Sequence, residues 1–230
     1  MRHLLISLFC LMVCMAAYGQ DKQLTEAKKM IESFKTSNDL AMLDKASALV
    51  DEIFENPSAA TSPQALVAKA QVLSTVLENK EVEDPLADSD MVVNLYADAL
   101  GHDNKMEHRN NILNELYYSK MSMMTMGNKS YEEENYVDAY AYYQKAIKLN
   151  DLELDHPRHA PVDYSLHYTS AVFAGLIDKK EEMAKIYEEL IAAEYPRADM
   201  YDNLMRYYTD IDKEEDVKRI KLLKEQRFPE

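Results

Sequence analysis

Apolar and polar positions along this 230-residue chain follow, nearly everywhere, the three-then-four spacing of a helix that buries one stripe. Leu24, Ala27, Met30, Ile31 and Phe34 form the first stripe, after a cap at Asp21. Leu43, Ala46, Val50, Ile53 and Phe54 form the second, opened by Asn38 or Asp39 and stopped at Asn56-Pro57. Ser62-Pro63 reads as a cap followed by proline in the first turn, and the helix it opens carries Leu66, Val67, Ala70, Leu73 and Leu77. The acidic run from Glu81 to Asp90, with Pro85 inside it, predicts a loop, and a short helix then runs to Leu100 and is closed by Gly101.

From Asp103 to Glu134 the pattern passes through Ile112, Leu113, Leu116, Tyr117, Met123 and Met126, and one long helix accounts for it better than two broken near Ser119. Further helices are expected over Val137–Leu149, Asp163–Ile177, Lys179–Glu194, Ala198–Asp210 and Lys213–Gln226. No stretch alternates with the period of two that a strand facing a core requires. The expected fold is therefore all-α, about ten helices arranged as antiparallel hairpins.

One segment repeats. Small, small and large residues at Gly127, Ala139 and Tyr143 recur at an offset of 44 as Ala171, Met183 and Tyr187. They recur more weakly, a further 34 on, as Met205, Val217 and Lys221, and the surplus of 10 falls in the proline-containing loop Asp151–Pro161. The run Met126-Gly127-Asn128-Lys129-Ser130-Tyr131, continued by Asn135 to Ala139, Tyr143 to Ala146 and Leu149-Asn150, resembles a tetratricopeptide repeat. It departs from that pattern at Met123, Ser130 and Asp151, which stand for a tryptophan, a tyrosine and a proline.

The resemblance implies hairpins stacked as an α-α superhelix, with repeats over 120–230 and irregular hairpins of the same kind over 20–119. It also implies a concave surface that holds a peptide or partner protein, lined by the first helix of each pair. Carried over, that surface includes Met124, Asn128 and Tyr131, then Tyr168 and Val172, then Asp202 and Arg206. Asn128 matches the asparagine of the carboxylate clamp found in some relatives, but Met124 stands where the clamp wants a lysine.

The N-terminus changes the picture of where this surface works. Arg2 and His3 precede an apolar run from Leu4 to Ala17, and Ala17 and Gly19 are the small residues of a cleavage site. A leader removed after Gly19, with the mature chain beginning at Gln20, predicts a periplasmic or secreted protein. The run is shorter than the roughly 20 residues a membrane span needs, and no later segment comes close. A lipoprotein modified at Cys14 fits less well, because Val13 is not small. Cys10 and Cys14 are the chain's two cysteines, so the mature chain would have no disulfide.

Charge and composition exclude more than they select. The chain carries 26 basic and 41 acidic residues; without Arg2 the balance is 25 against 41, a net charge of −16. Such a surface repels nucleic acid and anionic membranes and permits a cationic partner. With Gly101, Gly127 and Gly175 the only glycines after the leader, no phosphate-cradling loop can be built and no cofactor is expected.

Isolated chemical signals each have a plainer reading. Met121, Met123, Met124 and Met126 resemble a soft-metal site, yet Met123 and Met126 fall on the buried stripe. Asp151, Glu153 and Asp155 open like a calcium loop but lack its glycine and final glutamate, and His156 and His159 lack a third zinc ligand. Asp163, Ser165 and His167 stand two apart on a helix start and face different ways, so they do not make a relay. The expectation is a binding scaffold and not an enzyme. A permanent structural subunit of an envelope assembly is the alternative, and a metal-handling protein a more distant one.

Overall fold

The computed structural model describes residues 21–154 and 162–229. Helix α1 covers residues 21–37. It is followed by α2 (Leu40–Phe54), a 3-10 turn (Pro57–Thr61), α3 (Pro63–Asn79), α4 (Pro85–His102) and α5 (Arg109–Glu132). Then come α6 (Tyr136–Leu154), α7 (Tyr164–Leu176), α8 (Lys180–Ala192), α9 (Asp199–Asp210) and α10 (Glu214–Arg227). Among the described residues there are ten α-helices and no strand, so the fold is all-α, with helices packed as successive antiparallel hairpins.

Helix starts follow local chemistry. The Asp39 carboxylate accepts from the Ala41 N–H at 3.0 Å, Ser62 Oγ from Ala65 N–H at 3.3 Å and Asp163 Oδ1 from Leu166 N–H at 3.2 Å. Each such cap contributes about 0.5–2 kcal/mol relative to alanine. The acidic run 81–90 is only partly a loop, because Asp84 caps a helix that starts at Pro85 (Oδ1 to Ala87 N–H, 3.0 Å). Aspartate before proline is an N-cap signal, and it prevails over the run's charge.

Other boundaries also move. Gly101 lies inside α4, which runs on to His102, and no glycine among the described residues has a positive φ. The turn is made instead by Asp103, whose carboxylate accepts from His108 N–H at 3.2 Å, and by Met106 at φ 57. The helix expected from Asp103 is single but begins at Arg109. The stretch Asp151–Leu154 belongs to α6, while Asp155, His156 and His159 lie outside the described residues. Tyr117, expected on the buried stripe, is exposed; Ser119, Lys120 and Ser122 are buried instead.

Four turns between helices share one geometry. Glu134, Asp178, Glu194 and Asp212 each adopt a left-handed φ between 56 and 61. After each, an N–H reaches back five residues: Asn135 to Ser130 O, Lys179 to Ala174 O, Tyr195 to Leu190 O and Lys213 to Tyr208 O, at 2.8–2.9 Å. This is the Schellman closure of a helix end, made here without glycine. Glu134, Asp178 and Asp212 are separated by 44 and 34 residues, the offsets of the repeated small–small–large series.

The hairpins α3–α4, α5–α6, α7–α8 and α9–α10 pack internally, and a continuous core runs through them from Leu66 to Ile220. Smaller clusters hold α1 and α2 to α3, through Leu24, Ile31, Val50 and Ile53 among others. Helices α5 and α6 approach each other closely at Gly127. A Cβ built at Gly127 would stand 2.6 Å from Tyr143 Cδ2 and 3.3 Å from the Ala139 carbonyl oxygen. The Tyr143 ring cannot retreat, since it packs edge-on against Phe173 with centroids 5.0 Å apart.

Two glycine substitutions should therefore have opposite effects. Gly127→Ala overpacks the crossing and should lower stability by about 1–3 kcal/mol. Gly101→Ala adds a methyl that meets nothing within 4 Å in a helix, and should raise stability by about 0.5–1 kcal/mol. Urea unfolding followed by dichroism measures both; a Gly127→Ala protein as stable as its parent would show that the crossing has slack.

Candidate partner-binding groove

The backbones of α7 and α9 stay apart, bridged at one end by a hydrogen bond between Tyr168 and Asp199, and the space between them, floored by α8, is a groove of about 390 Å³. One wall is Tyr168, Val172 and Leu176 of α7; the other is Asp199, Asn203, Arg206 and Asp210 of α9. These α9 positions stand four, three and four residues apart, so they form one stripe of the helix. Lys180 and Met183 of α8, with the buried Tyr187, close the floor. Lys180 Nζ lies 3.5 Å from Asp210 Oδ2. Arg206 is exposed and makes no ion pair among the described residues.

Tyr168 is fixed at the groove's edge by a charged cluster. Its hydroxyl donates to Asp199 Oδ2 and accepts from the Arg197 guanidinium at 2.6 Å. Arg197 Nε donates to Asp199 Oδ1 at 3.1 Å, and the guanidinium carbon lies 4.3 Å from the Tyr168 ring centroid. Burial and the hydrogen bond to Asp199 push the Tyr168 phenol well above its usual range. Burial by itself would raise the Asp199 carboxyl, but hydrogen bonds from Arg197 and Tyr168 outweigh it and hold the group below the usual value. The Tyr168 ring also sits 6.1 Å from that of Tyr187 and 5.8 Å from that of Tyr195.

Of the seven sequence-derived surface residues, the groove brings together Tyr168, Val172 and Arg206. Asp202 does not join them. It lies about 70° round α9 from the centre of that stripe and accepts from Lys224 of α10 at 2.6 and 2.8 Å. Asn128 Oδ1 accepts from the Tyr143 hydroxyl at 2.8 Å, so its oxygen supports the α5–α6 crossing. Tyr131 is 46 % exposed and leans on Phe173 and Tyr136, while Met124 is half-buried against the main core. None of these three lines the groove. The α9 stripe of Asp199, Asn203 and Asp210 was missed, although its spacing is visible in the sequence; Arg197 and Lys180 carry no comparable signal.

The other chemical signals have structural positions. Met123 is completely buried and Met126 nearly so, whereas Met121 is exposed, so the four methionines do not share one surface. Asp163 caps α7 and also accepts from Ser165 Oγ at 2.6 Å. Glu153 pairs with the buried Lys120 at 2.9 Å.

No family model matches the chain, and no curated protein matches it in sequence. Among solved structures it is similar to the MamA protein, at 11 % identity and TM-score 0.39, covering 90 % of this chain and 92 % of that one. It is also similar to PilF of Pseudomonas aeruginosa (13 % identity, TM-score 0.37, 92 % and 94 % covered). A designed helical repeat protein matches at 13 % identity and TM-score 0.35, with 90 % and 97 % covered.

Buried phenols make the fold sensitive to alkali. Burial, with the nearby Asp138 and Asp84 charges, pushes Tyr142 up to about 12, and burial plus a hydrogen bond to Glu188 does the same for Tyr208. An unfolded phenol ionises near 10. Their contribution is therefore complete below about pH 10 and is lost as pH rises towards 12. A distinct fraction of the phenolate absorbance should rise late and together with loss of helical dichroism; tyrosines that all titrate near pH 10 with the helices intact would contradict this.

Proposed function

We propose that this chain is a protein-binding scaffold that holds a segment of a partner in the α7–α9 groove. The observation that carries the reading is the groove itself: two helices held apart over a floor, with an aromatic and apolar wall facing a polar, charged one. Apolar surface with a few oriented polar groups is the usual composition of a recognition site. Tyr168 is already immobilised by Arg197 and Asp199, so a ligand that packs on it loses little side-chain entropy. Arg206 offers a charge that no described residue neutralises.

We further propose that the scaffold works outside the inner membrane, after removal of a leader at Gly19, in the periplasm or beyond. The basic start, apolar run and small residues of the first 19 positions support that reading. Intact mass of the exported protein tests it; a lipid-modified chain beginning at Cys14 would overturn it.

For the groove, residues 20–230 serve as bait in an envelope extract, and the captured partner is then titrated against variants. Val172→Arg and Arg206→Glu should each weaken binding about ten-fold or more, roughly 1.4 kcal/mol, with unchanged dichroism. Asp202→Asn, outside the groove, should leave binding as it was. A partner that binds all three variants like the parent does not use this groove.

A further inference from the structure

A second concavity, of about 220 Å³, lies between α3 and α5, with Lys35 of α1 at its side. Its composition differs from that of the α7–α9 groove. Gln71, Ser74 and Glu78 come from α3, and Glu115, Tyr118 and Ser122 from α5. Two polar atoms here are closed off from solvent with no hydrogen-bond partner among the described residues: Gln71 Oε1 and Ser74 Oγ. Ser74 is only 4 % exposed. Buried polar groups are nearly always paired, and leaving one unpaired costs free energy that a ligand can return.

The unmet demand is for donors. An amide oxygen accepts only, and a hydroxyl oxygen accepts readily. Both carboxylates add acceptors: Glu78 Oε2 already takes the Ser122 hydroxyl at 3.1 Å, and neither Glu78 nor Glu115 is ion-paired among the described residues. Tyr118 presents a ring that is 55 % exposed, and Lys35 Nζ stands 5.5 Å from its centroid. The ring thus already attracts a cation, as an electron-rich face does.

We infer that this groove receives a basic side chain of a protein partner, the guanidinium of an arginine. A guanidinium carries five donors in a planar fork and no acceptor, pairs with carboxylates and stacks on aromatic rings. The two glutamates face it, the Tyr118 ring supplies a stacking surface, and Gln71 and Ser74 supply acceptors at the groove's base. The chain's net charge of −15 raises the local concentration of such a segment. The inference rests on the scaffold reading and names the chemistry of one contact that the scaffold makes.

The probe is a blocked tripeptide, acetyl-Gly-Arg-Gly-amide, titrated into the protein and followed by amide chemical shifts. Its counterpart replaces arginine with citrulline, which keeps the shape and loses the charge. The arginine peptide should give saturable shifts at Ser74, Tyr118 and Ser122, and the citrulline peptide should bind about ten-fold more weakly or worse. Glu78→Gln with Glu115→Gln, checked for native dichroism, should abolish saturation, while Arg206→Glu in the other groove should change nothing. Equal binding of both peptides, shifts confined elsewhere, or an unaffected double variant would overturn the inference. The peptide comparison stands even if the double variant does not fold. Failure here leaves the scaffold reading intact, since that reading is tested at Val172 and Arg206; failure there with success here would move partner binding to α3 and α5.

Discussion

The ring of Tyr143 lies where a side chain at position 127 would have to be, and much of the molecule's geometry depends on that contact. With hydrogen at Gly127, α6 can approach α5 closely enough for Ala139 and Ala146 to be completely buried. The same ring packs edge-on against Phe173 of α7, and its hydroxyl ties back to Asn128 of α5. One tyrosine thereby sets the distance inside a hairpin and the seat of the next. A larger residue at 127 would separate α5 from α6 and shift α7 as well, because interiors packed at crystal density transmit displacement.

Along α5 the hairpins are locked by polar contacts as well as by packing. Lys120 reaches Asn150 at 3.2 Å and Glu153 at 2.9 Å on α6; Lys145 of α6 reaches Asp90 of α4 at 2.7 Å. The Tyr96 hydroxyl meets Ser119 at 2.9 Å in the buried α4–α5 seam. Buried ion pairs add little net stability, because desolvation offsets the attraction. They do penalise any sliding of one helix past another, since a shift strands a buried charge. A flexible apolar seam rich in Met123 and Met126 would tolerate several offsets; the lysines tolerate few.

How far the fold is legible in the sequence follows from which forces act locally. The cap at Ser62, and stripes such as Leu24–Ala27–Ile31–Phe34, depend on neighbours within a turn or two and read directly, whereas the α2 start stays open between Asn38 and Asp39 until the Asp39 hydrogen bond is seen. The α4 start was obscured because the four other acidic residues of the 81–90 run masked one capping aspartate. Helix ends were harder, since the left-handed positions are filled by Glu134, Asp178, Glu194 and Asp212. Glycine is the usual signal there, and tertiary packing of the hairpins offsets the strain of an acidic residue. Buried Lys120 and exposed Tyr117 invert the hydrophobic pattern, and the burial of Lys120 is explained only by its partners Asn150 and Glu153 on α6. For the groove, α7's Tyr168 and Val172 were legible through repeat register. On α9, register alone could not separate Asp202 from Asp199, because the difference lies in which neighbour, α10 or α7, each side faces.

Close packing inside hairpins and open space between them are two aspects of one arrangement. Where the α5–α6 crossing is tight, α7 rests on α6, and α8 then carries α9 on its far side. The bulk of Tyr187 and Met183, both buried on α8, keeps α7 and α9 from closing on each other. Gly175 shows how closely that floor is fitted: a Cβ there would stand 2.9 Å from the Met183 sulfur. Between α3 and α5 the outcome differs. There the helix backbones do approach each other, so the concavity is narrower, and serines, threonines and glutamates line it beside a single tyrosine. Residue size on the intervening helix therefore decides the width of each groove, and the side chains left at its edges decide its chemistry. The wider groove presents tyrosine and valine on one wall and, on the other, Arg206 between the carboxylates of Asp199 and Asp210. The narrower one, with two carboxylates and unpaired acceptors, suits a single extended cation, and a partner that satisfied both would have to carry a complement to each along the same face.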